Sequence, residues 1–297
     1  IEHSRLAGAR RAAYKRANAC AVRIEEHAMK GKRRWSIAFA AGLAVNAAFA
    51  APTLFTGIGG NDTSVTAGSA NAAKAAFEAA IGGADNFNGT GLYASGFRSI
   101  NWDGVPDALA TPALLPANYF NSTRPRGVLL LTPGTGVAVS ASTVSGVSLY
   151  FGNINSGYTS NFAAFSPERV FSPIDSNILQ LYFFQAGTDM PASVRGFGAV
   201  FKDVELANTT SVRFFAMDGA DLGKYFVPAG TSNQAEFFGA LFASADPPIG
   251  HVVITLGTAA IGAGVSDNLV SSIDVVAMDD IVYAEPRTDE IFGDGFE

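Results

Sequence analysis

Cysteine and histidine are nearly missing from this sequence. It has one cysteine, Cys20, and three histidines among 297 residues. The cysteine and two of the histidines lie within residues 1–50, which leaves only His251 in the remainder. Zinc, iron–sulfur and blue-copper sites need clustered Cys or His ligands, and a thiol nucleophile needs a cysteine. Residues 51–297 therefore exclude these sites, and their stability must come from a packed core rather than from disulfides.

Positive charge is also scarce once the first 50 residues are set aside. Ten of the 20 Lys and Arg lie there, with three of the 26 Asp and Glu, so residues 51–297 carry ten basic and 23 acidic side chains, a net charge of −13. Nucleic-acid binding needs clustered Lys and Arg that displace counterions from phosphates. The sequence therefore excludes a nucleic-acid partner, and it disfavours anionic membrane surfaces for the same reason.

No hydrophobic run reaches the ~20 residues that span a bilayer. The longest candidate, residues 35–50, follows a basic stretch at residues 30–34 and ends in Ala-Phe-Ala. This is the three-part layout of a secretory signal peptide. We therefore predict a signal peptide over residues 29–50, no membrane span after its cleavage, and secretion to the cell surface, the exterior or the periplasm. Residues 1–28 are interpreted as non-native upstream sequence, the alternative being a basic tail on an uncleaved anchor.

Catalytic signatures are missing as well. No G-x-S-x-G nucleophile elbow occurs, and the segment PGTGVAVS at residues 133–140 lacks the G-K-[ST] of a phosphate-binding loop. His251 begins the alternating run HVVITLG, which predicts a surface residue at the start of a strand. The sequence thus predicts a protein that is not an enzyme and that requires no cofactor.

One class of enzyme stays open, because two carboxylates ~5 to 10 Å apart across a cleft can hydrolyse glycosides. Asp103 with Asp107, and Asp203 with Glu205, are the candidate pairs. The first pair has the Gly and Pro neighbours of turns. The second pair alternates with Val204, which predicts that both carboxylates share the solvated face of a strand. Each pair therefore also has a non-catalytic interpretation.

Short runs of β-branched and aromatic residues recur from residue 127 onward, separated by Gly, Pro, Asn, Asp and Ser. With no long helical pattern between them, they are typical of an antiparallel sandwich or barrel. We predict one all-β domain over residues 51–286, an antiparallel β-sandwich, with long loops and short edge strands between residues 85 and 125. The nine predicted strands cover residues 127–132, 147–152, 178–184, 196–206, 211–218, 223–229, 237–243, 251–257 and 273–286.

One short helix is predicted near the start of this domain. Ala73, Ala76, Phe77 and Ala80 have helical spacing within NAAKAAFEAAIGG, and the two glycines supply a stop. Asn71 is the candidate N-cap. We expect the helix to cover one end of the sandwich.

The chain ends in an acidic segment, RTDEIFGDGFE, over residues 287–297. A short polar terminus of this kind is predicted to be flexible. Its last seven residues, IFGDGFE, resemble the I-F-x-D-G-F-E ending carried by many exported proteins of certain Gram-negative bacteria. The resemblance implies a secretion or processing signal, and a plain flexible tail is the other interpretation.

Longer segments carry a second resemblance. Together they resemble a group of exported bacterial proteins of unassigned function, some of which have C-terminal sorting signals. The resemblance covers roughly residues 87–286 and implies a jelly-roll sandwich without enzyme activity. The segments are INWDGVPD (100–107), ANYFNSTRPRGVLLLTPGTGVAVSA (117–141), AFSPERVFSP (164–173), RGFGAVFKDVEL (195–206) and VVAMDDIVYAEP (275–286).

Aromatic residues in Asn- and Gly-rich surroundings are the candidate ligand-binding residues. They are Trp102, Tyr119 and Tyr158, and Tyr93 is a further candidate of the same kind. Glycan-binding sandwiches use such rings when they form an exposed platform, and the partner would then be a polysaccharide or another cell-surface component. The chain has 21 phenylalanines after residue 50, so most rings must be core. The alternative is therefore that Trp102 pins a loop onto the sandwich.

Asp279 and Asp280 lie side by side in the apolar run DVVAMDDIVY. In a regular strand one of them would point inward, and a buried carboxylate without a partner is costly. Three solutions stay open: an arginine partner from Arg195 or Arg213, a β-bulge that turns both outward, or a calcium ion.

The calcium alternative has support from a short resemblance. An apolar-Asp-Asp-apolar strand is similar to the last strand of several extracellular jelly-roll adhesion and carbohydrate-binding modules, and implies a structural calcium. The loop NWDGVPD offers further oxygen ligands, so the candidate metal ligands are Asp279, Asp280 and Asp103. The sequence predicts a non-enzymatic, exported protein with a structural or adhesive role, and a lectin-like carbohydrate-binding module stabilised by calcium is the alternative.

Overall fold

Twelve strands in two antiparallel sheets form the computed structural model, which describes residues 51–246 and 248–288. The predicted upstream sequence and signal peptide lie outside the described residues, and so does the tail after residue 288. The strands are β1 (Thr53–Ile58), β2 (Phe97–Ile100), β3 (Val128–Leu131), β4 (Gly136–Val139), β5 (Phe171–Ile174), β6 (Ile178–Phe183), β7 (Gly196–Lys202), β8 (Ser211–Ala216), β9 (Asp221–Phe226), β10 (Ala235–Leu241), β11 (Ile249–Thr255) and β12 (Ala277–Ala284).

The order of the strands is that of a jelly roll. The larger sheet has seven strands in the order β1-β10-β7-β12-β5-β4, with β2 also paired to β12, and the smaller sheet has the order β3-β6-β11-β8-β9. Within β5 to β12, the set β5-β12-β7-β10 therefore faces the set β6-β11-β8-β9. Chain connections that cross between two such four-stranded sets are the double Greek key of a jelly roll. The predicted antiparallel β-sandwich of jelly-roll type is confirmed.

The two sheets bury their side chains differently. In β6, Leu179, Leu181 and Phe183 are buried between the sheets, whereas Gln180 and Tyr182 are only half-buried. This alternation is typical of a strand with one covered face. In β7 and β12 of the larger sheet, every residue is buried. The larger sheet is therefore covered on both faces near its centre.

The predicted helix forms as α1 (Ala70–Ile81) and covers part of the larger sheet. Phe77 is fully buried, with its ring 5.4 Å from the ring of Phe55 and 5.8 Å from that of Phe237. These neighbours lie on β1 and β10, so α1 packs on a sheet face rather than on the end of the sandwich, where we expected it. No helix in the described part of the chain is long and apolar enough to cross a membrane.

The boundaries of α1 have local causes. Gly82 ends the helix with a φ of 80°, a conformation that glycine adopts without strain. The prediction that Asn71 is the N-cap is wrong. Ser69 is the cap, since its hydroxyl accepts a hydrogen bond from the Ala72 N–H at 3.2 Å. Single helical turns also occur at Asp107–Leu109, Tyr119–Thr123, Tyr158–Asn161 and Leu269–Ser271.

Eight of the nine predicted strand segments overlap a strand, and the segment 147–152 does not. It forms turns, with positive φ values of 48° at Tyr150 and 65° at Phe151. Phe151 is nevertheless fully buried, in a cluster with Tyr158 and Phe162. The apolar residues of this segment therefore belong to a loop that packs onto the sandwich. Composition alone does not distinguish such a loop from a strand.

Candidate functional site

Asp279 and Asp280 lie together opposite a single residue of β7. The flanking pairs are Met278–Phe201 and Ile281–Ala199, so two residues of β12 face Val200 alone. An extra residue of this kind is a β-bulge. It shifts the alternation of β12, so the inward residues are Val276, Met278, Ile281 and Tyr283, and both aspartates lie on the outer side.

Neither of the two candidate arginines is the partner of Asp279 or Asp280. Arg213 instead pairs with Asp221 at 2.5 Å on the neighbouring strand of the smaller sheet. Arg195 donates hydrogen bonds to the carbonyl oxygens of Ala243 and Asp246. The prediction of an arginine from either strand is therefore wrong, because both guanidinium groups are engaged elsewhere.

Although both aspartates face outward, α1 and a loop cover them. Asp279 Oδ2 accepts a hydrogen bond from the Phe165 N–H at 2.6 Å. The Ser166 hydroxyl lies 3.1 Å from Asp279 Oδ1 and 2.8 Å from Asp280 Oδ1. Lys74 of α1 lies 3.4 Å from Asp280 Oδ2. The cation beside the pair thus comes from the helix.

The electrostatics of this pair favour a proton on Asp279 and a charged Lys74 beside Asp280. Burial and the adjacent charge of Asp280 raise the pKa of Asp279 well above its usual range. Burial works against the charge of Lys74, but Asp280 and Glu78 raise its pKa overall. A protonated Asp279 and a charged Lys74 together remove most of the repulsion between the two carboxylates. Calcium binding at these residues stays a prediction.

Asp103, the third predicted metal ligand, holds the backbone of a neighbouring loop. Its Oδ1 accepts hydrogen bonds from the N–H groups of Glu168 at 2.7 Å and Arg169 at 3.3 Å. Burial raises its pKa to about 6 against these hydrogen bonds, and Asp280 adds to the rise. Asp107 forms an ion pair with Arg169 at 2.6 Å. The candidate catalytic pair Asp103–Asp107 therefore anchors its loop, which is the turn interpretation.

The three candidate ligand-binding aromatic residues do not form an exposed platform. Trp102, Tyr119 and Tyr158 are 1%, 2% and 1% exposed. The Trp102 N–H donates to the carbonyl of Asp279 at 2.7 Å, and its ring stacks on Phe171 with centroids 3.6 Å apart. A ring within the core cannot stack on a sugar, so these residues are structural, as in the alternative interpretation of Trp102.

Trp102 and Tyr119 line the inner wall of a small open pocket of about 120 Å³. Its polar wall is formed by Asn88, Asn101, Arg124 and Arg126. Pockets for small-molecule ligands are generally of roughly 300 to 1,000 Å³. This pocket can therefore admit a small group of a ligand, but not a whole sugar chain.

Asp203 and Glu205 do not share a solvated strand face, as the sequence predicted. β7 ends at Lys202, and Asp203 follows in a turn with a φ of 71° and is fully buried. The turn brings both residues to Asp267, in the loop before β12, so that one carboxylate oxygen of each lies within 4.8 Å of the others. No sequence pattern marks Asp267 as part of the cluster, because it lies in a polar loop 62 positions after Glu205.

Crowding of these carboxylates changes their acidity. Burial, followed by a hydrogen bond with Asp267 and the charges of Asp203, Asp267 and Asp274, raises the pKa of Glu205 to about 8. Burial raises the pKa of Asp203 to about 6. The cluster is therefore a place where negative charge is poorly balanced by the protein itself.

The outer face of the smaller sheet carries a row of aromatic side chains. Strand register places Tyr182, His251 and Phe215 side by side across β6, β11 and β8, and the buried Leu129 of β3 lies beside Tyr182. The rings of Tyr182 and His251 are 4.2 Å apart and nearly parallel, and those of His251 and Phe215 are 5.4 Å apart. Parallel rings on adjacent strands stand on the sheet and turn their edges outward.

Polar side chains flank this aromatic row. The next row across the sheet contains Gln180, Val253, Arg213 and Lys224. The Arg213 guanidinium lies 5.2 Å from the Phe215 ring, and the Lys224 ammonium lies 4.9 Å from the ring of Phe226. We call the outward residues Gln180, Tyr182, His251, Phe215, Arg213, Lys224 and Phe226 the open face.

His251, predicted to lie at the surface where a strand starts, is the third residue of β11 and is half-buried between two rings. Its Nε2 atom has no hydrogen-bond partner among the described residues. Burial lowers the pKa of His251 to about 4. The imidazole is therefore neutral at pH 7 and serves as an aromatic ring in the row.

Sequence reasoning missed the open face, although a signal was present. In β6, β8 and β9 an aromatic residue follows a polar residue two positions later, in the pairs Gln180–Tyr182, Arg213–Phe215 and Lys224–Phe226. Residues two apart in a strand lie on one face. A ring that lies two positions from a polar residue is therefore expected on the outward face with it. Apolar runs such as LYFF and RFF are instead typical of core residues.

No family model and no curated protein matches this chain. Among solved structures, it is similar to a mutant of CBM29-2, from work on ligand recognition by family 29 carbohydrate-binding modules. The two are 11% identical, the match covers 43% of this chain and 77% of that chain, and the TM-score is 0.23. A TM-score this low indicates neither the fold nor the function of this protein.

Proposed function

We propose that this protein is an exported, adhesive β-sandwich that binds carbohydrate as a lectin-like module, and that it is not an enzyme. The single observation that supports the proposal is the open face. It combines a continuous row of aromatic side chains with hydrogen-bonding groups on a sheet surface. The leader predicted from residues 29–50 supports the export, and the partner would be a polysaccharide at the cell surface or outside it.

The chemistry of the open face suits a sugar chain. Sugars offer apolar C–H surfaces and many hydroxyl groups. The row of Tyr182, His251 and Phe215 supplies apolar surface, while Gln180 and Arg213 supply an amide and a guanidinium for hydroxyl groups. Three adjacent strands extend over about 10 Å. A surface of that size suits an extended chain better than a single sugar in a pocket.

Charge favours a neutral polysaccharide. Residues 51–297 carry a net charge of −13, which repels anionic polymers. On the open face itself, Arg213 is already paired with Asp221. We therefore expect binding to a neutral polymer such as cellulose, chitin or xylan, and we expect it to change little with ionic strength.

The experiment compares retention of the full chain on insoluble cellulose, chitin and xylan. Tyr182→Ala combined with Phe215→Ala should abolish retention on the polymer that the natural chain binds. Phe87→Ala is the control, since Phe87 is a 60% exposed ring outside the smaller sheet, and it should bind normally. Equal retention of the double variant, in a form that unfolds at the same temperature, would contradict this binding surface, and so would failure of the natural chain to bind any of the polymers.

The absence of catalysis is tested on the same polymers. The full chain should release no reducing sugar from a polymer that it binds. The main candidate for a catalytic site is the cluster of Asp203, Glu205 and Asp267, because Glu205 has the raised pKa of a general acid. Release of sugar that disappears in Glu205→Gln would show an enzyme and overturn this part of the proposal.

A further inference from the structure

The acidic cluster beside the larger sheet has the geometry of a cation site. One carboxylate oxygen each from Asp203, Glu205 and Asp267 lies within 4.8 Å of the other two, and no other such group of three occurs among residues 51–246 and 248–288. Oxygens that share a calcium ion are each about 2.4 Å from it, so they lie at most about 4.8 Å apart. The three oxygens can therefore reach one ion.

The protein supplies little positive charge to this cluster. The charges that raise the pKa of Glu205 come from Asp203, Asp267 and Asp274. Lys202 lies near Asp203, but its ammonium donates to the carbonyl of Asn233 at 3.1 Å and is shared with Glu236 and Asp279. In the part of the chain that the structure describes, none of the three carboxylates forms an ion pair.

Buried oxygens without a donor give an independent indication. Asp203 Oδ2 and Asp274 Oδ1 have no hydrogen-bond partner among the described residues, although both side chains are 0% exposed. Asp203 Oδ1 accepts a hydrogen bond from the Asn233 N–H, and the side chains of Ser232 and Asn161 lie close enough to lower the pKa of Asp203, but neither donates to Oδ2, which is the oxygen left for a ligand. Unpartnered buried carboxylate oxygens are costly and call for an explanation such as an ion.

The carboxylate of Asp267 is held in place for such a role. Its Oδ1 accepts a hydrogen bond from the Val275 N–H at 3.0 Å, and its Oδ2 accepts one from the Asn161 amide at 3.3 Å. Each carboxylate oxygen keeps a second lone pair for a cation. The amide of Asn161 can also rotate to present its own oxygen, which would add a neutral ligand.

We propose that Asp203, Glu205 and Asp267 bind one calcium ion, with Asp274 adding negative charge behind them. All the donors are oxygens, which suits a hard cation and not a transition metal. Calcium accepts irregular coordination, whereas magnesium demands a near-ideal octahedron. This place differs from the pair of aspartates in β12, whose oxygens already have Lys74, Ser166 and a backbone N–H as partners.

The ion would connect two loops at one end of the larger sheet. Asp203 and Glu205 directly follow β7, and Asp267 lies in the loop that leads to β12. These strands are paired at that end through Lys202 and Ala277. Calcium would therefore close the end of the central strand pair, where a chain without disulfides has no covalent link.

The test uses the full chain, stripped with a chelator and titrated with calcium chloride by calorimetry. The natural chain should bind one equivalent, and its unfolding midpoint should rise by roughly 5 to 10 °C at a hundredfold excess over the dissociation constant. Glu205→Gln and Asp267→Asn should each weaken binding by roughly tenfold or more, because affinity follows the number of charged ligands. Asp62→Asn, at an exposed aspartate elsewhere, is the matched control and should bind normally.

A second measurement distinguishes a variant that has lost a calcium ligand from one that no longer folds correctly. In the chelator, Glu205→Gln should unfold at the same or a higher temperature than the natural chain, because a glutamine needs no proton to lie beside Asp203 and Asp267. No calcium binding by the natural chain would overturn the proposal and leave a shared proton between Glu205 and Asp267 as the solution. Binding that survives both cluster variants but is lost in Asp279→Asn or Asp280→Asn would overturn it too, in favour of the β12 site.

Discussion

The outer faces of the two sheets differ in what covers them. On the larger sheet, α1 packs through Phe77, and the carboxylates of Asp279 and Asp280 are buried beneath the helix and a loop. On the smaller sheet, the aromatic row and its polar neighbours are half-buried or exposed. The outer face of the larger sheet is thus covered by the protein itself, whereas that of the smaller sheet is open to solvent.

The difference shows how the same residue types acquire different roles. Lys74 and Lys224 are both lysines beside a sheet, but Lys74 balances buried Asp280, and Lys224 lies over the exposed ring of Phe226. Burial lowers the local dielectric and strengthens charge interactions, whereas water screens them at a surface. We therefore expect stability to depend on the covered face and binding to depend on the open face.

The largest expected effect contrasts two phenylalanines. Phe77→Ala removes a fully buried ring from the contact between α1 and the sheet, and should lower the free energy of unfolding by about 3 to 5 kcal/mol. Phe226→Ala removes a ring that is 43% exposed on the open face, and should change it by less than about 1 kcal/mol. Chemical denaturation measures both. Equal losses would erase the contrast between the faces.

The next effect contrasts two lysines. Lys74→Met leaves the charge of Asp280 without its cation and should cost about 2 to 4 kcal/mol, somewhat less than breaking a fully buried pair because Lys74 keeps some contact with water. Lys224→Met should leave the unfolding curve unchanged. Adding Asp280→Asn to Lys74→Met should recover part of the loss in a double-mutant cycle. Additive losses would show that the two side chains do not interact.

A smaller effect concerns pH and the open face. The unfolded chain protonates His251 near pH 6.5, whereas burial between Tyr182 and Phe215 lowers its folded pKa to about 4. Between these values the unfolded state holds more protons, so the stability due to neutral His251 is complete above pH 6.5 and is lost as pH falls toward 4. By pH 5 the loss should be about 1 to 2 kcal/mol.

The control for this prediction is His251→Gln, which cannot titrate. Other groups change stability with the opposite sign, because burial raises the pKa of Glu236 to about 8 and so favours its neutral form. The difference between the natural chain and His251→Gln, measured from pH 4 to pH 8, isolates the histidine. A difference that does not change with pH would mean that water reaches the imidazole in the folded state.

Most strands and the class of fold were predictable because they depend on local pattern, but β1, β4 and β5 lie outside the predicted segments. Alternating apolar residues in β6 and β11, with turn residues between strands, are sufficient to predict a sandwich. The helix was equally predictable from its spacing and its glycines. Its N-cap was not, because Ser69 and Asn71 are both good caps and the choice depends on where the preceding chain approaches.

The functional residues were less predictable, since each depends on contacts that are distant in sequence. The alternation rule gave the wrong parity for the second half of β12, because a bulge opposite Val200 adds a residue that sequence does not mark. The sequence predicts Trp102 as a candidate ligand-binding residue, but its ring stacks on Phe171, which lies 69 positions away in the chain. Aromatic content shows that rings are present, but not which side of a sheet they occupy.

The sequence by itself determined an acidic, cysteine-free, all-β domain of short strands, because composition and periodicity act locally along the chain. Only the tertiary structure decided which face of each sheet is covered, which cation balances Asp280, and which loops bring Asp203 and Asp267 together. These choices depend on how the jelly roll places strands that are far apart in the chain side by side. Burial and counter-charge follow from that placement, and they separate an ordinary side chain from a candidate site.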